Sequence, residues 1–387
     1  MVKALGIDPG TKSMDIFGFD DSTGEILIDE VISRDEVTKR PSVALDIIRD
    51  TVRRVSGIDA IVGPSGYGLP LKRARDASDS EILLATFVTE DDVQRRLKIV
   101  GLRELMFLMR EAEDLNVWFT PGVIHLPTVP DQRKINRIDM GTADKVFSAV
   151  LAVKDQAERC NIDYTKTSLI LVEAGFAYTA AIAVDKGRIV DGVGGTTGGV
   201  GYLGMGAIDG ELAYALSNVV QPLSKLLLFS GGAAYAAGID PHTMSPEGFV
   251  ELARRDVRAG MAYEALLESI LKDVATLLTT LRSPTEIILS GRFVRIPDFL
   301  RDLTVKLTDF IEGLGVKADV RVVGRRAQKV KEGAEGAAVL ANGIAGGKYF
   351  RLVEVMELEK SKGTILDHVH MEKTIVQRLR TTYGQTS

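Results

Sequence analysis

The sequence has very little cysteine and histidine. Cys160 is the only cysteine among 387 residues, which excludes an intrachain disulfide, a cysteine-bound iron–sulfur cluster and a cysteine-based zinc site within one chain. We interpret Cys160 as an apolar packing residue. The four histidines are scattered apart from His368 and His370, and no third ligand is near this pair in the sequence. A histidine metal site is therefore disfavoured.

Long apolar runs and basic stripes are also missing. No stretch reaches the roughly 18 apolar residues that a membrane helix needs, and the first apolar run is broken at Asp8, unlike a secretion signal. The net charge is −5, with no basic stripe carrying interleaved aromatic residues. We expect a cytoplasmic globular protein with neither a nucleic-acid nor a membrane partner. Its length predicts two domains.

The first informative motif is an apolar run that ends in an acid and a glycine turn. Asp8 and Gly10 separate two apolar stretches, at residues 3–7 and 14–19, which predicts a β-hairpin. The tip can offer backbone N–H groups and hydroxyls to a phosphate, and Asp8 can hold Mg²⁺ through water. A plain surface hairpin is the alternative interpretation.

The same pattern recurs in the second half of the chain. The apolar run at 168–172 leads into Glu173 and Gly175, and further strands are predicted at 177–184 and 188–193. The first half matches this with strands at 3–7, 14–19 and 26–32, followed by a helix over 42–55 and a strand at 59–63. These similarities indicate an internal duplication of an RNase H-like unit.

The remaining elements complete this pattern in chain order. Helices are predicted over 90–97, 101–113, 141–159, 208–218, 262–281, 297–312 and 333–344, and strands at 116–119, 123–127, 286–290 and 318–323. Residues 192–206 form a glycine-rich loop that can wrap phosphates or close over a substrate, or simply connect two elements flexibly.

The order of these motifs resembles the actin/Hsp70/sugar-kinase superfamily of ATP-binding proteins. Residues 8–11 (DPGT) are similar to its first phosphate hairpin and residues 173–175 (EAG) to its second, although the family usually has aspartate where Glu173 stands. Residues 287–292 are similar to its adenosine motif, with Arg292 in place of a second glycine. The helices that open at Gly141 and Gly336 resemble its two connecting helices. The resemblance covers residues 3–345 and is closest to the acetate/butyrate kinase branch, including an uncharacterised archaeal family described as predicted butyrate kinases.

The resemblance implies an α/β fold of two RNase H-like domains around a nucleotide cleft. The first domain would span 1–140, with an insertion at about 70–135, and be completed by a helix at about 334–350. The second would span 141–333 and carry the adenosine site, and residues 351–387 would form a tail of unknown role. The implied cofactors are ATP and Mg²⁺, with Asp8 and Glu173 as metal ligands. The implied nucleotide-binding residues are Asp8, Gly10, Thr11, Lys12, Ser13, Gly175, Gly194, Gly195, Thr196, Thr197, Gly198, Ser290, Gly291, Arg292, Gly333 and Gly336.

The resemblance to carboxylate kinases implies that the protein phosphorylates a small carboxylate. Such a substrate is already a nucleophile, so the site needs cations rather than a general base. Arg137 is the first candidate, because it stands just before the helix at 141–159, and His125 could donate to the same group. Further candidate cations are Arg133, Lys72 and Arg73.

Other functions stay open. Asp139 could act as a base for a hydroxyl acceptor, and Glu173 could orient water in a phosphatase. A non-catalytic ATP-binding switch would need the same phosphate hairpins. The acetate-kinase-like branch also makes a homodimer an expectation.

Overall fold

The computed structural model describes residues 1–95, 97–220 and 223–384. The chain forms two compact units, of which the first comprises 1–167, 186–190 and 324–387 and the second comprises 168–185 and 191–323. Among the described residues, no helix is long and apolar enough to cross a membrane.

The first unit is built on a six-stranded mixed sheet with the order β3-β2-β1-β4-β6-β5. β1, β2 and β3 form an antiparallel meander, β4 and β6 continue it in parallel to β1, and β5 pairs antiparallel with β6. The strands are β1 (Lys3–Pro9), β2 (Ser13–Asp20), β3 (Ile26–Ser33), β4 (Ala60–Val62), β5 (Lys72–Arg73) and β6 (Val117–Phe119). The helices are α1 (Arg34–Lys39), α2 (Val43–Arg54), α3 (Asp79–Thr86), α4 (Glu90–Gln94), α5 (Lys98–Glu111), α6 (Asp131–Lys134), α7 (Ala143–Cys160), α13 (Glu332–Ile344), α14 (Phe350–Met356) and α15 (Lys373–Thr382).

The second unit repeats the same topology. Its five-stranded sheet has the order β11-β10-β7-β8-β9, in which β7 and β8 are antiparallel and β10 and β11 continue in parallel to β7. The strands of this sheet are β7 (Ser168–Ala174), β8 (Thr179–Asp185), β9 (Arg188–Val193), β10 (Glu286–Ser290) and β11 (Asp319–Val322), and residues 188–190 of β9 are counted with the first unit. The helices are α8 (Gly210–Val219), α9 (Ala233–Ala237), α10 (Pro246–Leu252), α11 (Val257–Leu278) and α12 (Pro297–Gly313). The predicted α/β fold with a duplicated RNase H-like unit is confirmed.

Helix α13 is the central helix of the first unit, although it comes from the end of the chain. It is buried from Glu332 to Gly343 and packs against both β1 and α7. Two glycines allow this approach: a Cβ on Gly6 would lie 2.1 Å from the Ala338 backbone nitrogen, and one on Gly336 would lie 1.9 Å from the Phe147 carbonyl oxygen. Because α7 packs along α13, it belongs to the first unit, whereas the sequence analysis began the second domain at residue 141.

Two local predictions are wrong. The strand predicted at 123–127 is a 3₁₀ turn over Val123–His125, because proline and glycine precede it and Pro127, which lacks an N–H, follows it. Cys160, interpreted as a packing residue, is exposed at the last position of α7. Residues 351–384 of the predicted tail are folded, and α14 packs against α13.

Candidate functional site

The first phosphate hairpin places a buried carboxylate beside a glycine turn. Asp8 lies near the end of β1, opposite Asp15 of β2, and only 5% of it is exposed. Its Oδ2 accepts a hydrogen bond from Lys331 Nζ at 2.8 Å, whereas its Oδ1 is buried and has no hydrogen-bond partner among the described residues. Gly10, Thr11, Lys12 and Ser13 follow at the hairpin tip, and the backbone carbonyl of Lys12 accepts a hydrogen bond from the Arg34 N–H.

The start of α13 closes over this hairpin. The Lys331 backbone N–H donates to Asp15 Oδ2 at 2.7 Å, which fixes the position just before the helix. A Cβ on Gly333 would lie 2.8 Å from Asp8 Oδ2, and one on Gly10 would lie 2.1 Å from Lys331 Nζ. Gly333 was among the predicted nucleotide-binding residues, whereas Lys331 was not. Gly336, chosen with Gly333, lies one turn further along and packs on the α7 backbone.

The charges around Asp8 belong to residues that the sequence analysis did not select. Burial raises the pKa of Asp8 to about 6, against the attraction of Lys331 and with the repulsion of Asp144 and Asp15. Asp144 stands in the first turn of α7; burial raises its pKa, but Lys145, 2.6 Å away, outweighs this and holds the pKa below its usual range. Burial also lowers the pKa of the Arg34 guanidinium to about 10, against the attraction of Asp8.

The residues around Asp8 fit a magnesium ion. Mg²⁺ keeps several waters and is typically held by one or two carboxylates together with substrate phosphates. The buried, unpartnered Oδ1 of Asp8 supplies such a ligand. Within the described part of the chain, no group of three or more histidine, cysteine or acidic side chains could hold a metal by itself. A divalent ion here would therefore depend on Asp8, water and a bound phosphate.

The second hairpin carries Glu173 at the end of β7. Glu173 is half-buried and pairs with Ala180 of β8 and Ser290 of β10. The Gly175 N–H donates to the Tyr178 carbonyl oxygen at 3.0 Å, which closes the turn into β8. Gly175, which the sequence analysis expected to serve a phosphate, thus has its N–H engaged in the turn.

The glycine-rich loop is tied to helix α11. Its turn is closed by hydrogen bonds from the Thr197 and Gly198 N–H groups to the Gly194 carbonyl oxygen, and Gly195 and Thr196 lie at the tip. The Gly199 N–H donates to Asp273 Oδ1 at 3.1 Å. The Val200 N–H donates to Ser269 Oγ at 3.0 Å. This anchoring could not be predicted, because Ser269 and Asp273 lie inside an ordinary helical pattern.

Asp273 makes the stability of the second unit dependent on pH. It is 5% exposed, and burial raises its pKa from 3.8 to about 6, so ionising it costs more in the folded state than in the unfolded state. This cost grows as the pH rises from about 4 to about 6 and is fully present above that range.

Asp273→Asn, which keeps an acceptor for Gly199, should therefore raise the free energy of unfolding by about 1–2 kcal/mol at pH 8 and change it little at pH 4.5. Thermal unfolding at both pH values measures this, with Asp309→Asn as an exposed control in the same unit. Equal destabilisation at both pH values would contradict it.

The predicted adenosine motif lies at the end of β10, beside the end of β7. Gly291 has φ of +98°, and a Cβ there would lie 2.5 Å from the Ala174 carbonyl oxygen, so this turn requires glycine. Ser290 Oγ is buried without a hydrogen-bond partner in the described part of the chain. The Arg292 guanidinium lies 5.8 Å from the centre of the Phe176 ring. A hydroxyl and a cation are thus placed at the end of the strand.

The predicted acceptor-binding residues are spread over a loop that leads into α7. Arg137 is exposed, and its neighbours Asn136 and Ile138 line a largely apolar cavity of about 640 Å³ together with residues 369–372, Ile375 and Leu379. Asp139 is buried, and its Oδ1 accepts a hydrogen bond from the Gly141 N–H at 3.0 Å. His125 is buried beside the Gly122 carbonyl oxygen, and burial lowers its pKa to about 4, so the ring is neutral at pH 7.

The other candidate cations have structural partners. Arg133 donates to the Val190 carbonyl oxygen at 2.6 Å, and Lys72 forms an ion pair with Glu81 at 2.5 Å. The Arg73 guanidinium lies 5.6 Å from the centre of the Trp118 ring.

The duplicated topology and the two hairpins form a two-domain fold that solved structures of kinases share. A propionate kinase from Francisella tularensis matches with a TM-score of 0.62 at 15% identity, over 87% of this chain and 98% of that one. An acetate kinase from Porphyromonas gingivalis matches with a TM-score of 0.57 at 14% identity over the same shares. A candidate N-acetylmannosamine kinase from Listeria monocytogenes matches with a TM-score of 0.50 at 14% identity, over 91% and 99%.

The chain belongs to the family described as protein of unknown function (DUF1464), whose model matches residues 6–371. No curated protein matches the sequence. The similarity to the kinases thus shows the fold of the chain.

Proposed function

We propose that the protein is an ATP- and magnesium-dependent phosphotransferase whose acceptor is a small carboxylate. The observation that carries the proposal is Asp8, whose buried Oδ1 has no hydrogen-bond partner among the described residues and which lies between a glycine hairpin and the start of α13. An isolated buried carboxylate oxygen is costly unless a ligand satisfies it. Asp15 Oδ1, opposite it on β2, is likewise buried without a hydrogen-bond partner among the described residues, so two carboxylate oxygens of this hairpin are left for a ligand.

Different residues of the first unit would bind the metal ion and the phosphate groups in phosphoryl transfer. Asp8 would hold Mg²⁺ through water, and the ion would neutralise phosphate charge when it is bound. The hairpin tip from Gly10 to Ser13 would bind phosphate oxygens through backbone N–H groups and hydroxyls. In the second unit, Glu173 stays a candidate second metal ligand, and Ser290 and Arg292 are the proposed adenosine contacts.

The similarity to carboxylate kinases supports a carboxylate acceptor. The solved structures with the higher TM-scores include a propionate and an acetate kinase, both of which act on small carboxylates. In the reaction, one carboxylate oxygen forms a bond to the γ-phosphorus while the bond to the β–γ bridging oxygen breaks, so ADP leaves and an acyl phosphate forms. No proton has to be removed from the acceptor. Exposed Arg137 is the proposed cation for its carboxylate, with neutral His125 as a further donor.

The test is an acceptor screen with ATP and Mg²⁺. Acetate, propionate, butyrate and longer acids are assayed by trapping the acyl phosphate with hydroxylamine, and ADP release is followed in parallel. We expect hydroxamate and ADP in equal amounts, strict dependence on Mg²⁺, and a raised KM for the acid in Arg137→Gln. Arg53→Gln, an exposed surface variant, is the matched control. ATP binding without acyl phosphate for any acid would overturn the carboxylate assignment.

A hydroxyl acceptor is the second candidate. The candidate N-acetylmannosamine kinase shares the fold, and Asp139 is a buried carboxylate that could take the hydroxyl proton. Amino sugars and hexoses in the same screen decide between the two functions. ADP release with a sugar, abolished in Asp139→Asn, would favour this candidate. ATP binding without turnover for any acceptor would instead favour a switch protein.

A further inference from the structure

Lys331 lies where the first hairpin is expected to receive phosphate. Its side chain crosses the glycine turn so closely that a Cβ on Gly10 would lie 2.1 Å from Nζ and 3.1 Å from Cε. Its ammonium donates to Asp8 Oδ2 at 2.8 Å and lies 3.9 Å from Asp15 Oδ2. A cation is therefore held between the proposed metal ligand and the hairpin tip.

The backbone of Lys331 is fixed, whereas its side chain has room to move. The backbone N–H is bonded to Asp15 Oδ2, and the helix that follows is buried along almost its whole length. The side chain is 26% exposed, and four methylene groups with rotatable bonds separate the fixed backbone from the ammonium. The ammonium can therefore exchange partners locally without any movement of α13.

Electrostatics decides which partner the ammonium takes when the site is filled. A divalent ion at Asp8 would repel the ammonium, because two cations would then compete for one carboxylate. Phosphate oxygens at the glycine turn would attract it, because a charge-assisted hydrogen bond to an anion is stronger than a neutral one. Release from Asp8 and capture by phosphate are therefore favoured together.

We infer that Lys331 is a phosphate-binding residue: its ammonium, which contacts Asp8 in the structure, exchanges this partner for the phosphate oxygens of a Mg–nucleotide. The inference rests on the proposed function in so far as the ligand is a Mg–polyphosphate. It does not depend on the identity of the acceptor. None of the sequence motifs includes Lys331, which lies 323 positions after Asp8 in the chain.

Calorimetric titration of the full chain with Mg–ATP, Mg–tripolyphosphate and adenosine tests this role. Lys331→Met should weaken both polyphosphates by about 10- to 100-fold and leave adenosine unchanged, since one charge-assisted hydrogen bond to phosphate is lost. Lys331→Arg should restore part of the affinity. Lys329→Met removes the same charge at an exposed position two residues away and should change nothing. Lys331→Gln, which keeps a hydrogen-bond donor, provides a second neutral variant if Lys331→Met does not fold.

The outcomes separate this role from the proposed function. Tight polyphosphate binding by the wild type and by both neutral variants would overturn the role of Lys331 and leave the proposed function standing. An equal loss for adenosine would also overturn it, because the effect would then be structural. A wild type that binds neither polyphosphate would overturn both. Normal binding without acyl phosphate would reject only the carboxylate acceptor.

Discussion

Asp8→Asn should reduce phosphotransfer by about 10²–10³-fold and remove the dependence of ATP affinity on Mg²⁺. Asparagine has nearly the same shape, and its oxygen can still accept the hydrogen bond from Lys331, so the fold should be retained. The substitution removes the negative charge and the second carboxylate oxygen, which are the two properties that a hydrated Mg²⁺ requires. The measurements are the initial rate with the best acid from the screen and ATP titrations with and without Mg²⁺.

The matched control is Asp50→Asn. Asp50 is 71% exposed and its salt bridge is a surface contact with Arg53, so its removal should leave both rate and affinity unchanged. Thermal unfolding of both variants checks that the fold is intact. If Asp8→Asn keeps a Mg²⁺-dependent affinity for ATP, then Asp8 is a structural acid and the central assignment of the site is wrong.

The hairpins and the duplicated fold could be predicted because their signals are local. Each is an apolar run that stops at an acid and a glycine, and the repeat of this pattern at Asp8 and Glu173 fixed the correspondence between the two halves. The two sheets indeed have the same strand order around β1 and β7. The helices α7 and α13 were predicted for the same reason, since their apolar and small residues follow a helical period.

The charged surroundings of Asp8 could not be predicted from such signals. These charges come from three separate parts of the sequence: Lys331, Arg34 and the Asp144–Lys145 pair. In the sequence alone, each resembles an ordinary surface charge. A cue was present for one missed helix, because Ser78 and Glu81 form a capping box at the start of α3. That segment lies in the region around 70–135, where short elements and proline-rich loops hide the periodicity.

Gly336→Ala should destabilise the first unit by about 3 kcal/mol and lower its melting temperature by about 6–12 °C. The added methyl group would lie 1.9 Å from the Phe147 carbonyl oxygen and 2.6 Å from its carbon, both of which are backbone atoms of α7. A flexible side chain could relieve such a clash by changing its rotamer, but helix backbone atoms cannot. Helices α13 and α7 would therefore have to move apart. Alanine improves helix propensity by about 1 kcal/mol, which is too little to compensate.

The control for propensity is Gly313→Ala. Gly313 is the last residue of α12, and a Cβ there would meet no atom within 4 Å, so this substitution should be neutral or slightly stabilising. Gly6→Ala, on the β1 side of α13, should be as damaging as Gly336→Ala, because its Cβ would lie 2.1 Å from the Ala338 nitrogen. Because α13 also carries Lys331 and Gly333 to Asp8, any Gly336→Ala protein that folds should bind Mg–ATP more weakly. Calorimetric unfolding and titration measure the two effects, and unchanged stability would show that the helices can move apart at little cost.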